Sequence, residues 1–391
     1  MISLDKLSLV TVLTIVTAAP LQFPATAKTI KNVTGSNDYY SELELLPDRK
    51  HQTTDTERTE AKELLRVGLQ YYKNQKYDLA VQSWEQSKTL FIAQGNRRGE
   101  GLTLGLLASA YSKLNNYAQA IELYHQSLEI IQEFNHPELA ARFISELSGT
   151  YLLSGDYKNS INYSQKSLEI ARKIGDRQTE AYSLAMVGYA YYNFGQYSEA
   201  IDSFSASNFL FKKIGNTTGL APAINYQGHA YLALKKYEQA LTAYQESLAI
   251  YQQIDRPAEA ASILISMGLT HLYQQKLPEA EESFSQSLTL SQETNNLPLQ
   301  GRNLYFLGVI NGKQEKYQEA LKSYKKALAI FEKTGEREQQ AIALYDMGLT
   351  YRYLGEKSKA RESYQQALEI FTELGQQISV NMTRSQIEKL Q

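Results

Sequence analysis

Cysteine is missing from all 391 residues, which removes disulfides, thiolate metal sites, cysteine nucleophiles and a lipidated N-terminal cysteine together. The length would hold two or three ordinary domains, yet 8 Pro and 22 Gly are too few for a linker-rich chain. An excess of one charge is also lacking. With 40 Lys plus Arg against 42 Asp plus Glu the balance is -2, so no global field draws the chain to nucleic acid. The 5 histidines never pair at three- or four-residue spacing, and no phosphate-binding glycine loop follows a strand pattern, so neither a metal nor a cofactor is expected. What the chain has in quantity is tyrosine, 29 of them beside 12 Phe and 1 Trp.

The first residues carry a different message from the rest. A short apolar stretch from Leu7 to Ala19 follows Lys6 and precedes the small-residue run Ala25, Thr26, Ala27. That order reads as a signal peptide over residues 1–27, cleaved after Ala27, which predicts an exported protein in the periplasm or another extracytoplasmic compartment. The alternative is a membrane anchor left uncleaved. Residues 28–56 are polar, hold no sustained helical period and read as a disordered tether.

From residue 57 onward the sequence repeats itself every 40 residues. Ala80, Ala120, Ser160, Ala200, Ala240, Ala280, Ala320 and Ala360 hold one register, and Tyr77, Tyr117, Tyr157, Tyr197, Tyr237 and Tyr317 hold another three residues earlier. Small residues occupy a third: Gly68, Ala108, Ser148, Gly188, Gly228, Gly268, Gly308 and Gly348. In the second copy Leu104, Leu107 and Tyr111 share one helical face, and Ala120, Leu123, Tyr124, Leu128 and Ile131 share another, with Asn115 and Asn116 breaking between them. Each copy therefore predicts two antiparallel helices, brought close at the small residue and filled by an aromatic such as Tyr124. Gly95, Gly175, Gly215, Gly335 and Gly375 end second helices, and the Asn or Asp that follows suits a cap for the next helix. A unit of this kind cannot bury its apolar face alone, so the copies must stack.

In this order of Leu or Ile, Leu or Val, Gly, Tyr, Ala, aromatic, and Ala or Ser, the chain resembles the tetratricopeptide repeat, in the 40-residue variety of kinesin light chains and of bacterial arrays fused to a CHAT domain. No CHAT domain is expected here. The resemblance implies an all-α, right-handed superhelical solenoid of eight stacked helix pairs over residues 57–376, with residues 377–391 as a C-terminal capping helix. It also implies partner binding in a concave groove lined by first helices. The lysine and asparagine clamp of chaperone-binding members is absent, since Ala185, Tyr189, Asn225 and His229 stand at the matching places.

Sixteen tyrosines fall on the repeat positions and read as packing. Nine others lie on first helices, among them Tyr182, Tyr189, Tyr192, Tyr226, Tyr273, Tyr305, Tyr345 and Tyr353, and are expected to face the groove. A stiff apolar ring with a hydrogen-bonding tip suits peptide recognition. Asn193, Asn225 and His229 join them as partners for a backbone. Groove positions carry eight basic residues, including Arg302 and Arg352, against Glu146 and Asp346, which suits a partner segment bearing carboxylates. The expected function is a non-enzymatic scaffold binding extended or helical segments of partner proteins, without nucleic acid. Two alternatives stand beside it: self-assembly as a homo-oligomer through Leu64 and Leu65 or the closing helix, and recognition of cell-envelope glycans.

Overall fold

A computed structural model describes residues 55–390. The signal-peptide reading of residues 1–27 lies outside the described residues, as does nearly all of the tether. Seventeen helices and no strand are found among the described residues. They alternate between first helices, α1 (Asp55–Lys73), α3 (Arg97–Lys113), α5 (Pro137–Leu153), α7 (Arg177–Asn193), α9 (Thr217–Ala233), α11 (Pro257–Tyr273), α13 (Leu297–Lys313) and α15 (Arg337–Tyr353), and their partners. The second helices are α2 (Tyr77–Ala93), α4 (Tyr117–Gln132), α6 (Tyr157–Ile174), α8 (Tyr197–Ile214), α10 (Tyr237–Gln253), α12 (Leu277–Glu293), α14 (Tyr317–Thr334) and α16 (Lys357–Glu373). The closing helix is α17 (Gln377–Glu388). Two compact units divide between Leu234 and Lys235, so α1 to α9 form one and α10 to α17 the other.

Within each unit every helix packs on the next, and first helices also touch the first helix of the following copy, as α5 does α7. In most copies the small residue of the first helix meets the aromatic of its partner, while in the third Ser148 meets Ser164. A Cβ added to Gly188 would fall 2.8 Å from the Phe204 ring, and one on Gly308 2.6 Å from Tyr324. A second tie repeats alongside the first. Ser127 donates to the Gly101 carbonyl at 2.6 Å, Ser207 to Ala181 at 2.8 Å and Ser287 to Ala261 at 2.7 Å, always across 26 residues.

Turns recur twice per copy. A residue with positive φ appears every 20 residues from Gln75 to Gly375, eight glycines and eight residues of other types. The amide that follows bonds back to the helix, as Asn116 to the Tyr111 carbonyl and Glu336 to that of Phe331, both at 2.9 Å. Asn96, Asp176, Asn216 and Asn296 cap the helices they precede, through their side chains and the backbone N–H three residues on. Pro137 opens α5 at its first position, where a missing N–H leaves nothing unsatisfied.

Candidate functional site

In the unit ending at Leu234, four of the expected groove residues form one aromatic cluster. Tyr189 meets Tyr226 edge-on at 4.5 Å and Phe204 at 5.1 Å, while Tyr192 sits 5.6 Å from Tyr197, 5.8 Å from Tyr226 and 6.4 Å from His229. Tyr189 is 0% exposed and Tyr226 2%, and His229 is buried with them. These three are packing residues, which corrects the expectation that they face a partner. The reason is that first helices pack on one another as well as on second helices, so a position turned away from its own partner helix is covered by the next copy. Burial pushes His229 down to about 3, so its ring is neutral and behaves as an aromatic core residue.

The remaining residues of that unit are half-buried. Asn193 spends its amide on its own helix, donating to the Tyr189 carbonyl at 2.8 Å. Tyr182 lies at the other end of α7, where its hydroxyl accepts from Asn216 at 3.1 Å and its ring meets Phe211 edge-on at 5.0 Å. Asn225 on α9 carries a buried side-chain oxygen with no hydrogen-bond partner.

In the second unit Tyr345, 3% exposed, packs edge-on against Tyr364 at 5.3 Å and is likewise core. Tyr305 donates its hydroxyl to Asp346 at 2.7 Å. Tyr273 stacks on Tyr237 and Tyr353 on Tyr317, with ring centroids 6.4 and 5.5 Å apart, which places both at the turn edge of the stack. Arg352 donates to Gln386 of α17 at 2.7 Å and lies over the Tyr353 ring. Glu146 and Asp346, counted above as groove charges, are buried in the packing: Glu146 accepts from Ser109 and from Tyr124, and burial lifts Asp346 to about 6 against the pull of the Tyr305 hydrogen bond.

Arg302 differs from all of these. Its side chain is 19% exposed, it makes no hydrogen bond to any described residue, and its one ion pair is a loose contact of Nε with Glu336 at 3.9 Å. Burial pushes the guanidinium below the usual arginine range, partly offset by Glu336. Because Glu336 sits on the Nε side, the two Nη groups, the fork that matches a carboxylate, are left uncommitted. Glu336 itself escaped the sequence reading. It occupies the position where Asn96, Asp176, Asn216 and Asn296 cap helices, yet its carboxylate makes no cap bond, and that mismatch of residue type with position was the legible signal.

Among the described residues no group of three or more His, Cys, Asp or Glu is placed to hold a metal ion, and no helix is long and apolar enough to cross a membrane. Stacked helix pairs of this kind define an all-α repeat protein, a class of interaction scaffold. The chain belongs to the tetratricopeptide repeat family, which it matches over residues 60–133, 139–207, 219–293 and 299–373. No curated protein matches it. Among solved structures it resembles a signal transduction ATPase with numerous domains from Pyrococcus horikoshii that carries a tetratricopeptide repeat sensor, with a TM-score of 0.62 and 18% identity over 72% of this chain and 44% of that one. It thus spans less than half of that protein. It also resembles the apo form of RapI, with a TM-score of 0.56 and 14% identity over 71% of this chain and 99% of that one. A Rap protein complexed with competence and sporulation factor gives 0.53 and 14% over 86% and 91%. At such identities the likeness is one of fold.

Proposed function

We propose that the protein is a non-enzymatic, exported scaffold that binds a segment of a partner protein along the first helices of its second unit, with a carboxylate of that segment on Arg302. The observation that carries this reading is the half-buried guanidinium with an uncommitted fork. A desolvated cation that makes no hydrogen bond gains more from an anionic ligand than a solvated surface arginine does. Tyr305 and Ile342 lie half-buried on the same helices, and the rim pairs at Tyr273 and Tyr353 give the segment apolar rings to rest on. In the first unit Tyr182, Tyr192 and Asn225 are the half-buried counterparts. The Rap protein in complex with competence and sporulation factor is a precedent for this fold holding a ligand. Removal of residues 1–27 on export belongs to the same reading, and an intact mass of the purified native protein that still includes Met1 would remove it.

The test is a crosslinked pull-down from native extract with the full chain and its Arg302→Gln variant. A protein captured by the wild type and lost by the variant, with unchanged melting, is the expected result. Equal capture by both would contradict the assignment of Arg302.

A further inference from the structure

Second helices are fastened to the stack by rings. α2 buries Trp84 and Phe91, α4 Tyr124, α8 Phe204 and Phe211, α10 Tyr244 and Tyr251, α12 Phe284, α14 Tyr324 and Phe331, α16 Tyr364 and Phe371. α6 departs from this. Its buried residues are Ser160, Ser164, Ser167 and Ala171, none larger than alanine or serine. Ser164 stands where the other copies carry the aromatic, and Ser148 opposite it where several carry glycine, so the ring-on-glycine lock is replaced by two hydroxyls 2.5 Å apart.

The fully buried contacts of α6 are therefore mostly polar. Ser167 donates to the Ala141 carbonyl and accepts from Ser183, both at 2.8 Å, and Ser164 donates to the Ser160 carbonyl of its own helix. Water can replace such bonds at little net cost, whereas nothing in water replaces the burial of a ring. Ser160 adds a second, independent sign: its hydroxyl is fully buried and has no hydrogen-bond partner, so it gains one when the helix leaves. The ion pair of Arg172 with Glu180 is a weak restraint because Arg172 is exposed. Half-buried apolar contacts remain at Ile161, Leu168, Ile170 and Ile174, and the Tyr163 ring stacks on Tyr151.

We propose that α6 is a built-in release point, a helix that undocks from α5 and α7 while α4 and α8 stay packed. Undocking frees α5, which carries Arg142 and Glu146, to shift against its neighbours, so the first unit has one place where its stack opens. This stands on packing alone and does not depend on the ligand assigned to Arg302.

Amide hydrogen exchange on the full chain tests it. The expected result is exchange in α6 at least 100-fold faster than in α4 and α8. Two variants then ask whether the small seam is the cause. Ser148→Gly with Ser164→Phe rebuilds the lock seen at Gly188 and Phe204. Ser148→Cys with Ser164→Cys, in a chain of 0 Cys, closes the seam on oxidation and reopens it on reduction. Either should slow exchange in α6 at least tenfold, the second reversibly, and the disulfide serves if the first fails to fold. Protection of α6 equal to that of α4 and α8 in the wild type would overturn the proposal, and so would fast exchange that the oxidised disulfide leaves unchanged.

Discussion

Asp346 shows how a single residue can be read correctly by type and wrongly by place. Its position on a first helix suggests a groove charge, but it is buried against Tyr305, and burial holds its carboxyl near 6. A folded value above the unfolded one means that the native state binds the proton more tightly, so this group adds stability as pH falls from 7 toward 4 and loses it as pH rises through about 6. Asp346→Asn should therefore raise stability at pH 7.5 by about 2 kcal/mol, with the gain vanishing near pH 4. Urea melts at the two pH values check this. The same misplacement befell Tyr189, Tyr226 and Tyr345: their chemistry was legible, but which neighbour covers a first-helix position depends on how one copy sits on the next, and no single helix period contains that. Left-handed turn residues were half legible for a related reason. Glycine advertises the conformation at Gly175 or Gly335, whereas Gln275 and Glu315 adopt it too because the returning backbone bonds offset the cost. Glu315→Gly should stabilise the fold by about 1 kcal/mol, measured by thermal unfolding.

At the scale of the helix pair, sequence and structure agree most closely. The 40-residue register, the small residue facing an aromatic and the capping Asn or Asp are all where the pattern puts them, because each is a contact between residues of one copy. The serine tie was not foreseen. It joins Ser287 to a carbonyl 26 residues earlier, and a sequence shows only that the position is Ala or Ser, since alanine fills it in the last two copies as Ala327 and Ala367. Ser287→Ala removes two buried hydrogen bonds, the one it donates to the Ala261 carbonyl and the one it accepts from the Asn303 amide at 2.8 Å, and leaves that amide short of a partner. A loss of about 2 kcal/mol is expected in chemical denaturation, against about 0.5 kcal/mol for an exposed serine such as Ser285→Ala.

For the molecule as a whole, self-assembly through the two faces named from sequence is decided by the mass in solution. Leu65 is buried within the packing rather than offered at an end. The outward positions of α1 are Glu63, Arg66 and Gln70, all exposed, where later copies bury Phe143, Leu106 and Ile310 at the same repeat positions. The closing helix turns Asn381, Arg384 and Glu388 outward while burying Val380, Thr383 and Gln386, although Ile378 on the same helix is 64% exposed. Faces that are mostly polar favour a soluble end over a joined one. Sedimentation equilibrium at micromolar concentration should return a single 44.3 kDa species or its processed form, and Glu63→Leu with Arg66→Leu should make the mass rise with concentration. The central claim is recognition of a carboxylate by Arg302, and a binding isotherm on the full chain tests it most directly. Peptides selected from a random linear library would be labelled and titrated against the wild type, Arg302→Gln and Arg302→Lys. The account predicts a dissociation constant at least tenfold weaker for Arg302→Gln, partial recovery with lysine, and the same loss when the peptide's carboxylates are amidated. Equal affinities for wild type and Arg302→Gln, with both proteins melting alike, would contradict it.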